Sequence, residues 1–272
     1  MADKKPVPKD EQAPQDRPKS PYIHLHTHSH YSLLQALPKI DQLVKKAKKE
    51  GMDSIALTDN GNLYGAIEFM QECEKAGIKP IIGVDFFIAA RTRHDKEPRI
   101  DNRTKKLVLL AKNLKGYYNL IKLVTDSNLE GFYYRPRIDK ELIEKYSEGL
   151  IAILPSFGGE AVNSIKSSNR DEAKQIIEYY TSIFNRHEDG TAFSAEESKD
   201  PSKSNVFVEL TVHPDLENHD QAMSRLADVA TECNVPVLAA HNIYYVEKDD
   251  KKARTTLLSV QKSFSSGGLD DD

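Results

Sequence analysis

The chain has 272 residues, with 38 Lys+Arg against 42 Asp+Glu, a formal net charge of −4, 39% apolar residues and no Trp. That length buries a full core without staples, and two cysteines are too few for a disulfide scaffold or a cysteine-rich zinc site. No apolar run reaches membrane-spanning length, the start (MADKKPVPKDEQ) lacks the apolar core of a secretory signal, and the slightly acidic balance gives no global case for nucleic-acid binding. The expectation is a cytoplasmic protein with no membrane partner.

Residues 1–21 hold Pro6, Pro8, Pro14, Pro18 and Pro21 among Lys, Asp and Gln, a mixture that predicts a disordered leader. The body then alternates. Tyr22–Leu25 reads as a first strand, and Ile40, Leu43, Val44 and Ala47 lie on one helical face closed by Gly51. Ser54–Leu57 follows as a strand, then a helix with Ala66, Ile67, Phe69, Met70 and Cys73 on its apolar face, closed by Gly77. Pro80–Ala89, Leu107–Ala111 and Leu150–Leu154 are further strands. Asn169 and Glu172 have capping-box-like spacing before the stripe Ala173, Ile176, Ile177, Tyr180 and Phe184. Residues 186–205 read as a polar insertion. Val206–Val212, a helix with Ala222, Leu226, Val229, Ala230 and Cys233, and the strand Val235–Ala240 complete the pattern. Both cysteines sit on apolar faces, which makes them core residues. Residues 264–272 read as a linker or truncated tail, leaving 22–263 as one domain.

Seven strands alternating with helices argue for an α/β fold with a largely parallel sheet. Closed into a barrel, such a sheet gathers reactive groups at the strand C-terminal ends; left open, it places them at a switch point. Periodicity does not separate the two.

Tyr22-Ile-His-Leu-His-Thr-His-Ser-His30 spaces His24, His26, His28 and His30 at period two, so an extended chain puts all four on one face, opposite Ile23 and Leu25. Paired imidazoles at the end of a strand suit a divalent metal; a surface histidine tract is the alternative. Asp59 and Asp85 each lie near the end of a strand and offer oxygen ligands. Asp59 serves equally well as a turn or helix-cap residue, whereas Asp85 stands among Ile81, Ile82, Val84 and Phe86, where an unpaired acid is expensive to bury. Glu130-Gly-Phe-Tyr-Tyr-Arg-Pro-Arg-Ile138 concentrates aromatics and two arginines, either for a phosphate or partner surface or as a solvated loop over packed aromatics. Phe157-Gly158-Gly159-Glu160 reads as a tight strand-to-helix turn.

Together these segments resemble the PHP (polymerase and histidinol phosphatase) superfamily. The matching pieces are His24-Leu-His-Thr-His-Ser, the stretch from Ala56 through Thr58-Asp-Asn-Gly61 to Phe69, Pro80-Ile-Ile-Gly-Val-Asp-Phe-Phe87, Leu107-Val-Leu-Leu-Ala-Lys-Asn113 and Gly158-Gly-Glu160. The Leu63–Phe69 and Gly131–Asp139 segments are similar to the branch found as the N-terminal domain of bacterial DNA polymerase III alpha subunits. The resemblance implies a distorted seven-stranded (β/α)7 TIM-like barrel and an ancestral site of up to three divalent ions, usually zinc, manganese or iron, that hydrolyses phosphoesters or supports 3′–5′ exonuclease activity.

Carried over by position, that site is incomplete. His26 and His28 match the family His-x-His, and Asp59 matches the Asp of Thr-Asp-His, but Asn60 replaces its His. Asp85 stands for a family Glu, Lys106 for a His, and Phe157 for a Cys or His; Asn242 and Tyr244 replace Asp-x-His, with His241 one residue out of register. The resemblance therefore implies a degenerate site with one residual metal at His26, His28 and Asp85, or none. The leading expectation is a structural or regulatory module of a replicative polymerase. Its partners would be the remainder of the alpha subunit, a proofreading exonuclease subunit and, indirectly, DNA. A free-standing metal-dependent phosphoesterase or 3′–5′ exonuclease is the second expectation, and a pure interaction module the third.

Overall fold

The computed structural model describes residues 22–187, 189–194 and 196–266; the leader expected over 1–21, and residues 267–272 of the expected tail, lie outside them. Helix α1 (Ile40–Lys49) buries Ile40, Leu43, Val44 and Ala47 and turns its lysines outward. Strand β1 (Ser54–Leu57) follows, and α2 (Ala66–Ala76) ends at Gly77, whose φ of 68° returns its N–H to the last carbonyls of the helix. The long β2 (Lys79–Ala89) leads to β3 (Thr104–Ala111). Helix α3 (Leu114–Leu129) is capped by Asn113, and β4 (Arg137–Ile138) is followed by α4 (Lys140–Tyr146), capped by Asp139. Then come β5 (Leu150–Leu154), α5 (Glu160–Lys166) and α6 (Arg170–Phe184), the last capped by the expected Asn169. Strand β6 (Val206–Leu210), α7 (His219–Glu232), β7 (Val237–Ala239) and α8 (Asp250–Ser266) complete the described chain. Helix α8 thus occupies the first residues of the stretch expected as a linker.

This is a mixed α/β fold around one curled sheet of order β1-β2-β3-β5-β6-β7, with β4 paired to β2. The sheet is less parallel than expected, because β3 runs antiparallel to both β2 and β5. No helix is formed between β2 and β3, so the chain returns directly beside the strand it has just left. The remaining pairs, β1·β2, β2·β4, β5·β6 and β6·β7, are parallel.

The expected first strand, Tyr22–Leu25, is not a regular strand, although it lies against β1. Ala56 N donates to His24 O at 2.9 Å and Thr58 N to Thr27 O at 2.8 Å. Three steps of one segment therefore oppose two of the other, as at a β-bulge, and the alternation of side chains breaks there. On its far side the segment exchanges bonds with 241–244, through His28 N to Ile243 O and Ile243 N to His26 O.

The apolar residues form three clusters. One, centred on Val84, Leu107, Leu109, Leu120 and Val206, lies between the sheet and its helices; a second packs α1 and α2 on β1. The third gathers Ala56, Val108, Leu110 and Ile153 with Leu25, Ile81, Phe207 and Leu238, one patch drawn from almost every strand. Among the described residues no helix is long and apolar enough to cross a membrane.

Candidate metal centre

The bulge corrects the expectation that four histidines share a face. His24 and Thr27 line a small cavity with Leu43, Ala47 and Met52 beneath α1, and His30 packs on the Tyr31 ring. Only His26 and His28 turn toward β2. There they meet Asp85, and among the described residues these three form the one group whose donor atoms all lie within 4.8 Å of one another. His26 Nε2 is 3.5 Å and His28 Nε2 3.8 Å from Asp85 Oδ2, and all three side chains are almost completely buried.

The surroundings fix where the protons on Nδ1 of the two rings point. Nδ1 of His26 lies 2.7 Å from Glu209 Oε2 on β6, and an ionised carboxylate only accepts, so Nδ1 carries the proton. Glu209 is itself held at Oε1 by the Ser156 N–H and hydroxyl. A carboxylate behind a histidine in this way aims the opposite nitrogen and strengthens it as a donor. Ser32 gives its hydroxyl proton to Asp59 at 2.6 Å, so at 3.2 Å it accepts from Nδ1 of neutral His28 and leaves Nε2 with a bare lone pair. That Nε2 and Asp85 Oδ1 are buried without hydrogen-bond partners.

The charges follow from this packing. Burial disfavours protonation of His26, but the Glu209 and Asp85 carboxylates outweigh it and push the imidazole up to about 9. His28 falls well below the usual histidine value, through burial and then the positive charges of His26 and Lys106. Burial would raise Asp85, yet the Lys106 ammonium and His26 hold it far below the usual carboxylate range. An acceptor lone pair facing a carboxylate across 3.8 Å, with a free oxygen beside it, is donor chemistry that suits a divalent cation.

Asp59 is not brought into this group. Its carboxylate accepts from Ser29 N, Ser29 Oγ and Ser32 Oγ, tying the turn after His28 to the end of β1. Of the other positions that the resemblance singles out, Lys106, Asn60 and Tyr244 lie beside the group and Phe157 does not. Lys106 Nζ donates to Asp85 Oδ2 at 2.7 Å and to Asn60 Oδ1. Tyr244 stacks flat on His28, with centroids 4.3 Å apart and Asn242 at its hydroxyl. Phe157 stacks on His219 instead, and His241 makes an edge contact with the His213 ring. Of the two arginines in the aromatic segment, Arg137 is fully buried and donates to the carbonyls of Gly131, Asp101, Arg93 and Asp95, whereas Arg135 lies over the Phe87 ring. Glu209 was missed in the sequence, although an acid inside Val-Phe-Val-Glu-Leu carries the same signal that singled out Asp85.

With this geometry in view, a family model of the PHP domain matches residues 24–190. DNA polymerase III subunit alpha of Borreliella burgdorferi is 40% identical over 243 residues, covering 89% of this chain and 20% of the relative. The same subunit of Thermus aquaticus is 34% identical over 254 residues, covering 92% of this chain and 19% of the relative. The chain thus spans about a fifth of the length of the curated relatives it matches. A solved two-domain protein from Bacteroides vulgatus, described as containing a PHP-like metal-dependent phosphoesterase, aligns with a TM-score of 0.44 at 14% identity over 85% of this chain and 55% of that chain, too distant to bear on the site.

Proposed function

The chain belongs to the PHP domain family, and from that premise we propose that it is the PHP domain of a bacterial DNA polymerase III alpha subunit, a structural and regulatory module whose phosphoesterase site is reduced to a place for one divalent ion. The remainder of the alpha subunit is its first partner, with a proofreading exonuclease subunit and DNA beyond it, in the cytoplasm. We read one domain over 22–263, since β6 and β7 continue the sheet past the end of the family match. A closed seven-stranded (β/α)7 barrel is supported by the bonds of the 22–28 segment to β1 on one side and to 241–244 on the other.

One observation carries the reading of a reduced site. Lys106, the counterpart of a family histidine, places its ammonium 2.7 Å from the carboxylate that a metal would need. His26, His28 and Asp85 would hold the ion, in neutral-imidazole and carboxylate donation, and zinc, manganese and iron all accept that set. Such an ion would supply Lewis acidity and a low-pKa water. The chain's own part is to orient: Glu209 aims His26, Ser32 aims His28, and Tyr244 covers the His28 ring. A clamp of two or three ions needs donors that Lys106, Phe157 and Tyr244 do not provide.

The test is metal-dependent release of phosphate from small phosphoesters, and of nucleotides from the 3′ end of DNA, by the 272-residue chain with zinc or manganese. The expected release is no greater than that of His28→Ala. Robust release lost in His28→Ala would establish the free-standing phosphoesterase or exonuclease instead.

A further inference from the structure

Asp85 has two unlike oxygens. Oδ1 is buried without a partner, while Oδ2 is claimed by Lys106 Nζ at 2.7 Å. Lys106 arrives there by register, because β3 pairs antiparallel with β2 so that Lys106 lies opposite Phe87, two residues beyond Asp85. The Lys106 N–H donates to Gly158 O at 2.9 Å, which fixes the start of β3 against the turn before α5. The side chain crosses the Phe87 ring, with Nζ 3.9 Å from its centroid, and reaches Asn60 Oδ1 as well. It is 18% exposed, so the ammonium is largely withdrawn from water and depends on these three groups.

A cation anchored to a carboxylate and an amide oxygen, over a ring face, occupies the kind of place that an ion would take. We propose that Lys106 is an internal substitute for a metal cation: its ammonium holds Asp85 in the metal-free protein, and a divalent ion binds only by displacing it. The inference rests on the reading of His26, His28 and Asp85 as a one-ion site. An ammonium and a divalent ion repel each other at the same carboxylate, and a partly desolvated site screens that repulsion poorly. Arg135, over the same Phe87 ring, adds a second positive charge to the neighbourhood. Lys106 therefore lowers metal affinity and stands in for the ion in holding Asp85 to Asn60.

The experiment titrates zinc or manganese ions into chelator-treated chain, by calorimetry, for wild type, Lys106→Met, Lys106→Gln and Lys106→His. Circular dichroism and melting temperature of each metal-free variant are recorded beside it. The expected result is at least tenfold tighter binding in Lys106→Met or Lys106→Gln, and tighter again in Lys106→His, which adds a donor. The metal-free melting temperature of Lys106→Met falls and recovers when the ion is added. Unchanged or weaker binding in folded Lys106→Met and Lys106→Gln, with binding still lost in Asp85→Asn, overturns the role of Lys106 and leaves the one-ion site standing. Absence of binding in every folded variant, Lys106→His included, overturns the proposal together with that site.

Discussion

His26 Nδ1 donates to Glu209 Oε2 across 2.7 Å, joining residues 183 positions apart with both side chains almost wholly inside the protein. The pair connects the bulged first segment to β6 across the sheet. Removing one partner strands the other as a buried charge, which typically costs about 3–5 kcal/mol. Glu209→Ala is therefore expected to lower the unfolding free energy by that order, read as a lower chemical-denaturation midpoint, and Glu209→Gln by less, since it keeps an acceptor for Ser156. A midpoint within error of wild type for Glu209→Ala would contradict the pairing.

The same pair gives a pH dependence. His26 lies at about 9 in the fold, above the ordinary value of 6.5. Its contribution to stability is therefore fully present below about 6.5 and lost as pH rises through about 9. Metal-free wild type should lose stability over that interval, and Glu209→Gln should flatten the decline. A His26 ring that titrates near 6.5 by NMR would rule out this account of the site's charge.

Asp59 and Asp85 are each an acid near a strand end, and their surroundings assign them different work. Asp59→Ala leaves Ser29 and Ser32 without their acceptor, an expected loss of about 2–4 kcal/mol from several buried hydrogen bonds. Provided the variant stays folded, it should retain metal binding within a few-fold. Asp85→Ala should abolish it. Equal loss of metal in both variants, at native circular dichroism, would place Asp59 among the ligands.

Arg137 donates at 2.9 Å to four main-chain carbonyls and pins the segments around Arg93–Asp101 to β4. Arg137→Met fills part of the volume but leaves those carbonyls unpaired, and should lower stability by about 3 kcal/mol or more. Arg135→Met, at the surface over Phe87, should change it by less than about 1 kcal/mol. Similar denaturation curves for the two variants would refute this division of labour.

Cys73 lies among Ile40, Leu43 and Phe69 at 0% exposure, and burial pushes its thiol up to about 11. A raised value keeps the neutral, unreactive thiol at pH 8. Mass spectrometry after native iodoacetamide treatment should find Cys73 unlabelled until denaturant is added. Rapid native labelling would mean that the α1–α2 layer opens far more often than its packing implies.

Much of the architecture was legible because long apolar strands and one-sided helices state their environment locally. Ser54–Leu57, Pro80–Ala89 and Leu150–Leu154 were read within a residue of their observed bounds. Arg137–Ile138 was not, since two residues carry no periodicity, and neither was α8, although Ala253, Leu257, Val260 and Phe264 recur in it at helical spacing. At the site, the residue types pointed to His24, His26, His28, His30, Asp59 and Asp85, and only the family resemblance narrowed them to His26, His28 and Asp85. The bulge that turns His24 away depends on a one-residue mismatch between segments distant in sequence. Lys106 could be read as a missing ligand, but its bond to Asp85 depends on the β2–β3 register, which no local pattern encodes.

The central claim, a PHP domain reduced to one ion site, is tested most directly by elemental analysis of the purified chain equilibrated with zinc, manganese or iron, together with His26→Ala. The account predicts at most one bound ion per chain in wild type and none in His26→Ala. Two or more stoichiometric ions in wild type, with phosphoester hydrolysis that His26→Ala abolishes, would contradict it.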